Sequence, residues 1–542
     1  MEMKGEKGTP TSNGTTISSE NDARILQLEV EKTELRAKLD AEKTENDRLR
    51  MIIRNFNKAL YGSRSEKSKY ILGDDEIQPE LFNEAEMTQD DHAPEPTPET
   101  FVTTVKEHNR KKKRTRAEMC KDLPIEEVVY DVPIENRTDK SGRPFKFVTK
   151  KYVRSEMIII PKQFRRINYY TNVYVSQEIE EATGKKLFSE AKVTPPVMKN
   201  SLASPSSVAD VMTRKYVEGM PLYRQEQEWN RLGVNIPRNT LANWVIKPAE
   251  SWFMPVYAAL KDSLLREKVI HADETTVQVL KEPGKKPDST SYMWVYASSE
   301  RSKRPVRIFE YQDSRSGQCA KAFLEGFHGV LISDGYNGYN GLAEVTRAGC
   351  WAHVRRKWME AMPPNAKVET SKAARGFEYC NQLFEIEREF KRLPDDKRRE
   401  ERRKRSKPKL DEIWKWLGSF IPEKGSKLAG AVQYTLNMKP YLCAFLDHGE
   451  IEISNNQVEN AIRPFVVGRK GWLFSDTPKG ATASATVYTL VETAKTNGLD
   501  PYRYLLRLLT ELPMYEGSPT PEQIESFMPW NTEIQAACSI QK

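Results

Sequence analysis

The chain has 542 residues, 30% charged and 38% hydrophobic, the composition of a soluble multidomain protein with polar linkers or an exposed helical part. No apolar stretch approaches a membrane span, and the N-terminus lacks the apolar core of a secretory signal. The net charge of +8 favours a polyanionic partner only weakly, and six cysteines without repeated short spacing argue for reduced thiols in a cytoplasm and against a disulfide framework.

Residues 1–20 hold nothing to bury and are expected to be disordered. Over 21–61, Leu28, Leu35, Leu49 and Phe56 share one heptad position, interrupted by Glu42; Ile25, Leu39, Ile53 and Leu60 share another, interrupted by Lys32 and Asn46. Heptads without Pro or Gly predict a coiled coil, hence a homo-oligomer, with a single helix packed on its own protein as the alternative. The linker 62–118 is acidic and Pro-rich, then basic from Arg110 through Lys111, Lys112 and Lys113 to Arg116. That run reads equally as a solvated segment or a phosphate-contacting arm. Residues 119–185 alternate β-branched and polar residues around 126–130, 157–160 and 172–175 and predict a small β module.

Residues 195–250 read as helices. One covers 222–229 and stops at Gly233, and Pro237 opens the next. A helix, a glycine-containing turn and a helix opening on Arg238, Asn239 and Asn243 make a helix-turn-helix pattern whose polar side chains could reach DNA. Many helical pairs share this pattern and never touch DNA.

From 265 to 354 a strand carrying Asp273, strands over 291–297 and 305–311, a helix over 317–327 and a strand ending at Asp334 form the beginning of an RNase H-like sheet. Its first and fourth strands lie side by side. A fifth strand is expected over 348–353, then a helical insertion over 355–447, whose residues 396–405 are a basic surface, either solvated or a DNA track. Over 448–500 the core resumes, followed by a helical tail at 501–542. Ser454 and Gln457 suggest a capping box, and Val458, Ala461, Ile462 and Phe465 form a buried stripe. Asn455, Glu459 and Arg463 share another face, Pro464 ends or kinks the helix, and Arg463, Arg469 and Lys470 add positive charge for a phosphate track. A lone carboxylate often merely caps a turn. Carboxylates from two strands and a helix are what two-metal phosphoryl transfer requires.

The segments His271-Ala272-Asp273-Glu274-Thr275, Ser333-Asp334-Gly335-Tyr336, Gly349-Cys350-Trp351-Ala352-His353 and Asn455-Asn456-Gln457-Val458-Glu459-Asn460-Ala461-Ile462-Arg463-Pro464 resemble the IS66-type DDE transposases of bacterial insertion sequences. So do Val467-Gly468-Arg469-Lys470-Gly471-Trp472 and Pro221-Leu222-Tyr223-Arg224-Gln225-Glu226, and the likeness runs from about residue 20 onward. It implies a multidomain α/β protein that cuts insertion-sequence ends and joins the 3′-hydroxyls to target DNA. Asp273, Asp334 and Glu459 would be its catalytic, metal-binding triad, holding two Mg²⁺ (or Mn²⁺) ions about 4 Å apart. His271, Cys350, His353, Asn455 and Asn456 would support them. The implied partners are double-stranded DNA, as terminal inverted repeats and target, and accessory proteins of the element; the implied setting is a bacterial cytoplasm, associated with the nucleoid. One departure stands out. The family's paired cysteines before the helix-turn-helix are missing, since residues 119–180 hold only Cys120, so no zinc is expected there. A catalytically silent DNA-binding oligomer and an RNase H-like nuclease are the alternative readings.

Overall fold

The computed structural model describes residues 188–363, 366–515 and 517–540, together with Lys32 and stretches within 125–175. Apart from Lys32, the expected coiled coil and the linker with Lys111, Lys112 and Lys113 lie outside the described residues. The chain divides into two units, residues 1–144 and 145–542. In the first, residues 127–131 form no strand, and Val128, Val129 and Tyr130 are exposed, with no burial to favour the alternating pattern.

In the second unit, β1 (Val173–Val175), within the expected module, pairs with β2 (Phe188–Glu190), just beyond its expected end, in an exposed antiparallel ribbon. Helix α1 (Pro205–Tyr216) opens on a reciprocal cap between Ser204 and Ser207. α2 (Leu222–Arg231) turns at Gly233, whose φ of +84° suits glycine, into α3 (Arg238–Pro248), which starts after Pro237 as expected. The buried Gln225 amide donates to the carbonyls of Val211 and Met220, tying α2 to α1. Pro248 supplies no N–H, and α3 passes through a π-helical turn (Ala249–Phe253) into α4 (Met254–Leu265).

Five strands follow: β3 (Val269–Gln278), β4 (Thr290–Ser298), β5 (Arg307–Gln312), then, after α5 (Gly317–Phe323), β6 (Val330–Ser333) and β7 (Thr346–Gly349). Their order is β5-β4-β3-β6-β7, with β3 to β5 an antiparallel meander and β6 and β7 parallel to β3. Strand period two sorts the faces. Ala272, Glu274, Trp294 and Tyr296 point towards α5, where Tyr296 stacks on Phe323. His271, Asp273 and Val295 point the other way. On that side Phe309, paired with Val295, meets Phe465 and Tyr488.

β7 is shorter than expected. Cys350 already caps α6 (Trp351–Glu360), so His353 sits on a helix, held by the Trp351 N–H donating to the carbonyl of Ile453 and the indole N–H to that of Leu442. The insertion continues as α7 (Lys372–Phe390), α8 (Asp395–Glu401), a π-helical turn (Arg402–Ser406), α9 (Lys407–Leu417) and α10 (Lys427–Leu442). Its basic stretch is not a uniform outer surface. Arg398 and Arg402 are buried on Glu387, and Arg403 and Arg405 pair with Asp447 and Glu389.

Helix α11 (Asn456–Trp472) packs its expected stripe against β3 and β4 and runs on through Pro464. Its N-cap is Asn455, without a side-chain capping bond, and not Ser454. α12 (Pro478–Thr496) is buried along most of its length, and its Thr489 and Thr493 hydroxyls accept from the N–H groups of Phe309 and Arg307, satisfying the free edge of β5. α13 (Pro501–Glu511) returns against α1, and α14 (Pro521–Glu525) and α15 (Thr532–Cys538) complete the unit.

Candidate active site

β3 and β6 pair with Val269 opposite Val330 and His271 opposite Ile332. Two residues further along, the same register sets Asp273 level with Asp334 on the face that α11 covers. Asp334 follows the buried strand, and its Oδ1 accepts from the Tyr336 N–H at 2.9 Å, fixing the turn. Asp273 Oδ1 accepts from the Glu274 N–H at 2.9 Å. Burial first, then the charges of Glu274, Asp334 and Glu459, pushes the Asp273 carboxyl well above the usual carboxylate range. Asp273 thus feels acidic groups from its own strand, from the end of β6 and from α11.

Glu459 lies in the first turn of α11. One oxygen accepts from Arg356 at 3.2 Å, and the other lies 3.6 Å from His353 Nδ1. Those last two atoms are both buried and without a hydrogen-bond partner. Burial lowers the pKa of His353, against the raising effect of Glu459.

The scaffold behind the carboxylates is polar and buried. Asn455 donates from its amide to the carbonyl of Ala272 at 2.9 Å, which orients its oxygen towards His271 Nδ1 at 3.1 Å. His271 Nε2 lies 3.1 Å from Glu452. The Asn455 N–H in turn meets Cys350 Sγ at 3.1 Å. Asn455 therefore spends its side chain on β3 rather than on its own helix, which is why α11 starts without the expected cap. On the opposite face, Glu274 pairs with Arg315 at 2.7 Å and accepts from the Tyr339 hydroxyl at 2.5 Å.

Donor atoms of Cys350, His353 and Glu459 lie within 4.8 Å of one another and could hold a metal ion. Burial pushes the Cys350 thiol up to about 12, and its sulfur already accepts an N–H, so it is a poor thiolate ligand. The grouped carboxylates, with the unpartnered Glu459 oxygen, suit a hard divalent cation better than zinc, which needs about four N or S ligands.

The other expected site residues divide. Arg238, Asn239 and Asn243 are exposed on α3, as is Arg463 on α11, whereas Lys470 is half-buried. Asn456 opens α11 beside Asn455. Arg469 is buried, and its guanidinium donates to the backbone carbonyl and hydroxyl of Thr276, so it anchors α11 to β3 instead of facing outward. Sequence reasoning missed Glu452 and Arg356. The first had no motif beyond its nearness to Asn455; the second stands three residues after His353, a spacing that shares a helix face.

Comparison with known proteins places these residues in a family. Residues 200–483 match the family described as "Transposase IS66 family", residues 489–530 "IS66 C-terminal element" and residues 48–128 "Transposase C of IS166 homeodomain". "Uncharacterized protein y4qI" of Sinorhizobium fredii (strain NBRC 101917 / NGR234) is 30% identical over 540 residues, covering 95% of this chain and 94% of that one. "Uncharacterized protein y4hP" of the same strain is 24% identical over 520 residues, 91% of this chain and 90% of that one. Among solved structures, "Drosophila P element transposase strand transfer complex" aligns at a TM-score of 0.33 and 11% identity, over 54% of this chain and 92% of that one.

Proposed function

The chain belongs to the IS66 transposase family, and we propose that it cuts the ends of an insertion sequence and joins the freed 3′-hydroxyls to target DNA. Asp273, Asp334 and Glu459 are the residues that would hold two divalent cations on an RNase H-like sheet. The observation carrying this reading is the raised Asp273 carboxyl, buried and facing the charges of Asp334, just past the strand paired with β3, and of Glu459 in the first turn of α11. Bound Mg²⁺ would supply charge stabilisation at the phosphodiester oxygens and a more acidic water.

The protein's own residues do the positioning. Asn455 and His271 fix where α11 begins relative to β3, and therefore where Glu459 points. The Tyr336 N–H holds the Asp334 carboxylate from below, leaving its other oxygen for a cation. α2 and α3 act as a helix-turn-helix, with Arg238, Asn239 and Asn243 on the face open to DNA and Arg463 and Lys470 nearer the cut. The N-terminal heptads would pair two copies, as holding two DNA ends requires.

The test is strand cleavage and joining on terminal inverted-repeat DNA with Mg²⁺. Wild type should give both products and Asp334→Ala neither. Cleavage without joining would favour a nuclease, and no metal-dependent product a silent DNA-binding protein.

A further inference from the structure

Arg356 is placed to do more than neutralise Glu459. It projects from α6 and donates to Glu459 at 3.2 Å, with side-chain exposures of 45% for the arginine and 23% for the glutamate. A pair this open to water is weak and shifts an equilibrium by only a few fold. The neighbouring cations are committed elsewhere. Arg355 donates to Asn381 at 2.6 Å and lies over the Phe377 ring. Lys357 pairs with Glu360 at 3.1 Å. Arg347 donates to Ser333, Asn340 and the carbonyls of Asp334 and Tyr336. Among the described residues, Arg356 is the guanidinium at this cluster whose hydrogen bond goes to a proposed metal ligand and nowhere else.

We propose that Arg356 is a two-position residue, resting on Glu459 when the carboxylates are metal-free and moving to a phosphate of the bound DNA strand when divalent cations enter. The inference rests on the metal-site reading above. A cation on the other Glu459 oxygen draws off the carboxylate charge that holds Arg356 and repels the guanidinium beside it. A freed guanidinium presents a planar fork of donors that matches two phosphate oxygens. Metal and DNA then bind cooperatively, because each removes the competitor of the other.

The experiment uses the full chain and needs no turnover. Mn²⁺ affinity is measured by calorimetric titration. Affinity for a fluorescent duplex carrying the element's terminal repeat is measured by anisotropy, with Ca²⁺ and with chelator. Arg356→Gln should bind Mn²⁺ about two- to fivefold more tightly than wild type, because the competitor is gone. It should also lose most of the Ca²⁺-dependent gain in DNA affinity. Arg356→Lys should keep part of that gain, and Lys357→Gln should match wild type. If Arg356→Gln leaves both affinities unchanged, or weakens Mn²⁺ binding, Arg356 only steadies Glu459 and the proposal is overturned. Wild type that binds no Mn²⁺, or an Asp334→Asn variant that binds it as well as wild type, would instead overturn the metal-site reading itself.

Discussion

Asn455 and His271 meet at 3.1 Å in a fully buried contact that joins the start of α11 to β3 two residues before Asp273. The Asn455 amide also holds the carbonyl of Ala272, the residue next to Asp273. One side chain thus sets the distance between the strand that carries one carboxylate and the helix that carries another.

Removing it should be costly. Asn455→Ala leaves a buried ring nitrogen and a backbone carbonyl unsatisfied, at about 1–3 kcal/mol each. We expect a loss of about 2–4 kcal/mol in urea denaturation, and a larger proportional loss of DNA cleavage than of DNA binding. Unchanged stability would mean the contact is dispensable.

Glu452 gives the fold an acid-sensitive point. Burial alone would raise its pKa, but the hydrogen bond and charge of His271, then the Ser299 hydroxyl, hold it down to about 2, against an ordinary 4.5. A carboxyl depressed in the folded state stabilises above the unfolded value, and that stability is lost as pH falls through the folded one. Glu452 should therefore contribute at most about 3 kcal/mol above pH 4.5, fading towards pH 2. Denaturation as a function of pH should show a shallower loss across that window in Glu452→Gln than in wild type.

Gly335 follows Asp334, and a Cβ there would stand 2.8 Å from the Tyr434 ring of α10. Gly335→Ala should displace the Asp334 turn and reduce cleavage by about tenfold, a cost of about 1.4 kcal/mol. Gly335→Ala with Tyr434→Ala should recover much of it, because the two positions share one contact. Single-turnover cleavage by the two variants checks this.

In the insertion, the fully buried Arg402 donates to both oxygens of Glu387 and to the carbonyls of Phe445, His448 and Ile451. Glu387→Ala strands two buried guanidiniums and should cost about 3–5 kcal/mol by urea denaturation. A loss below about 1 kcal/mol would show that water replaces the carboxylate.

What could be read beforehand was element order and periodicity. The order of strands and helix, matched to an RNase H-like sheet, set Asp273 and Asp334 at neighbouring strands, and the spacing of Val458, Ala461, Ile462 and Phe465 chose the buried face of α11. What could not be read depended on distant partners. Ser454 looks like a cap until Asn455 is drawn to β3 by Ala272 and His271. Arg469 looks like a DNA contact until the carbonyl of Thr276 is found beside it. The charges at Arg398 and Arg402 look solvated until Glu387, from another helix, buries them. Local pattern carries no information about such partners, because they come together only when the insertion folds back.

The most direct measurement is anomalous diffraction from crystals of the protein soaked in Mn²⁺. The account predicts two peaks about 4 Å apart, bounded by the side chains of Asp273, Asp334 and Glu459. A single ion held by Cys350, His353 and Glu459 with Asp273 and Asp334 left aside, or no peak at the carboxylates, would contradict it.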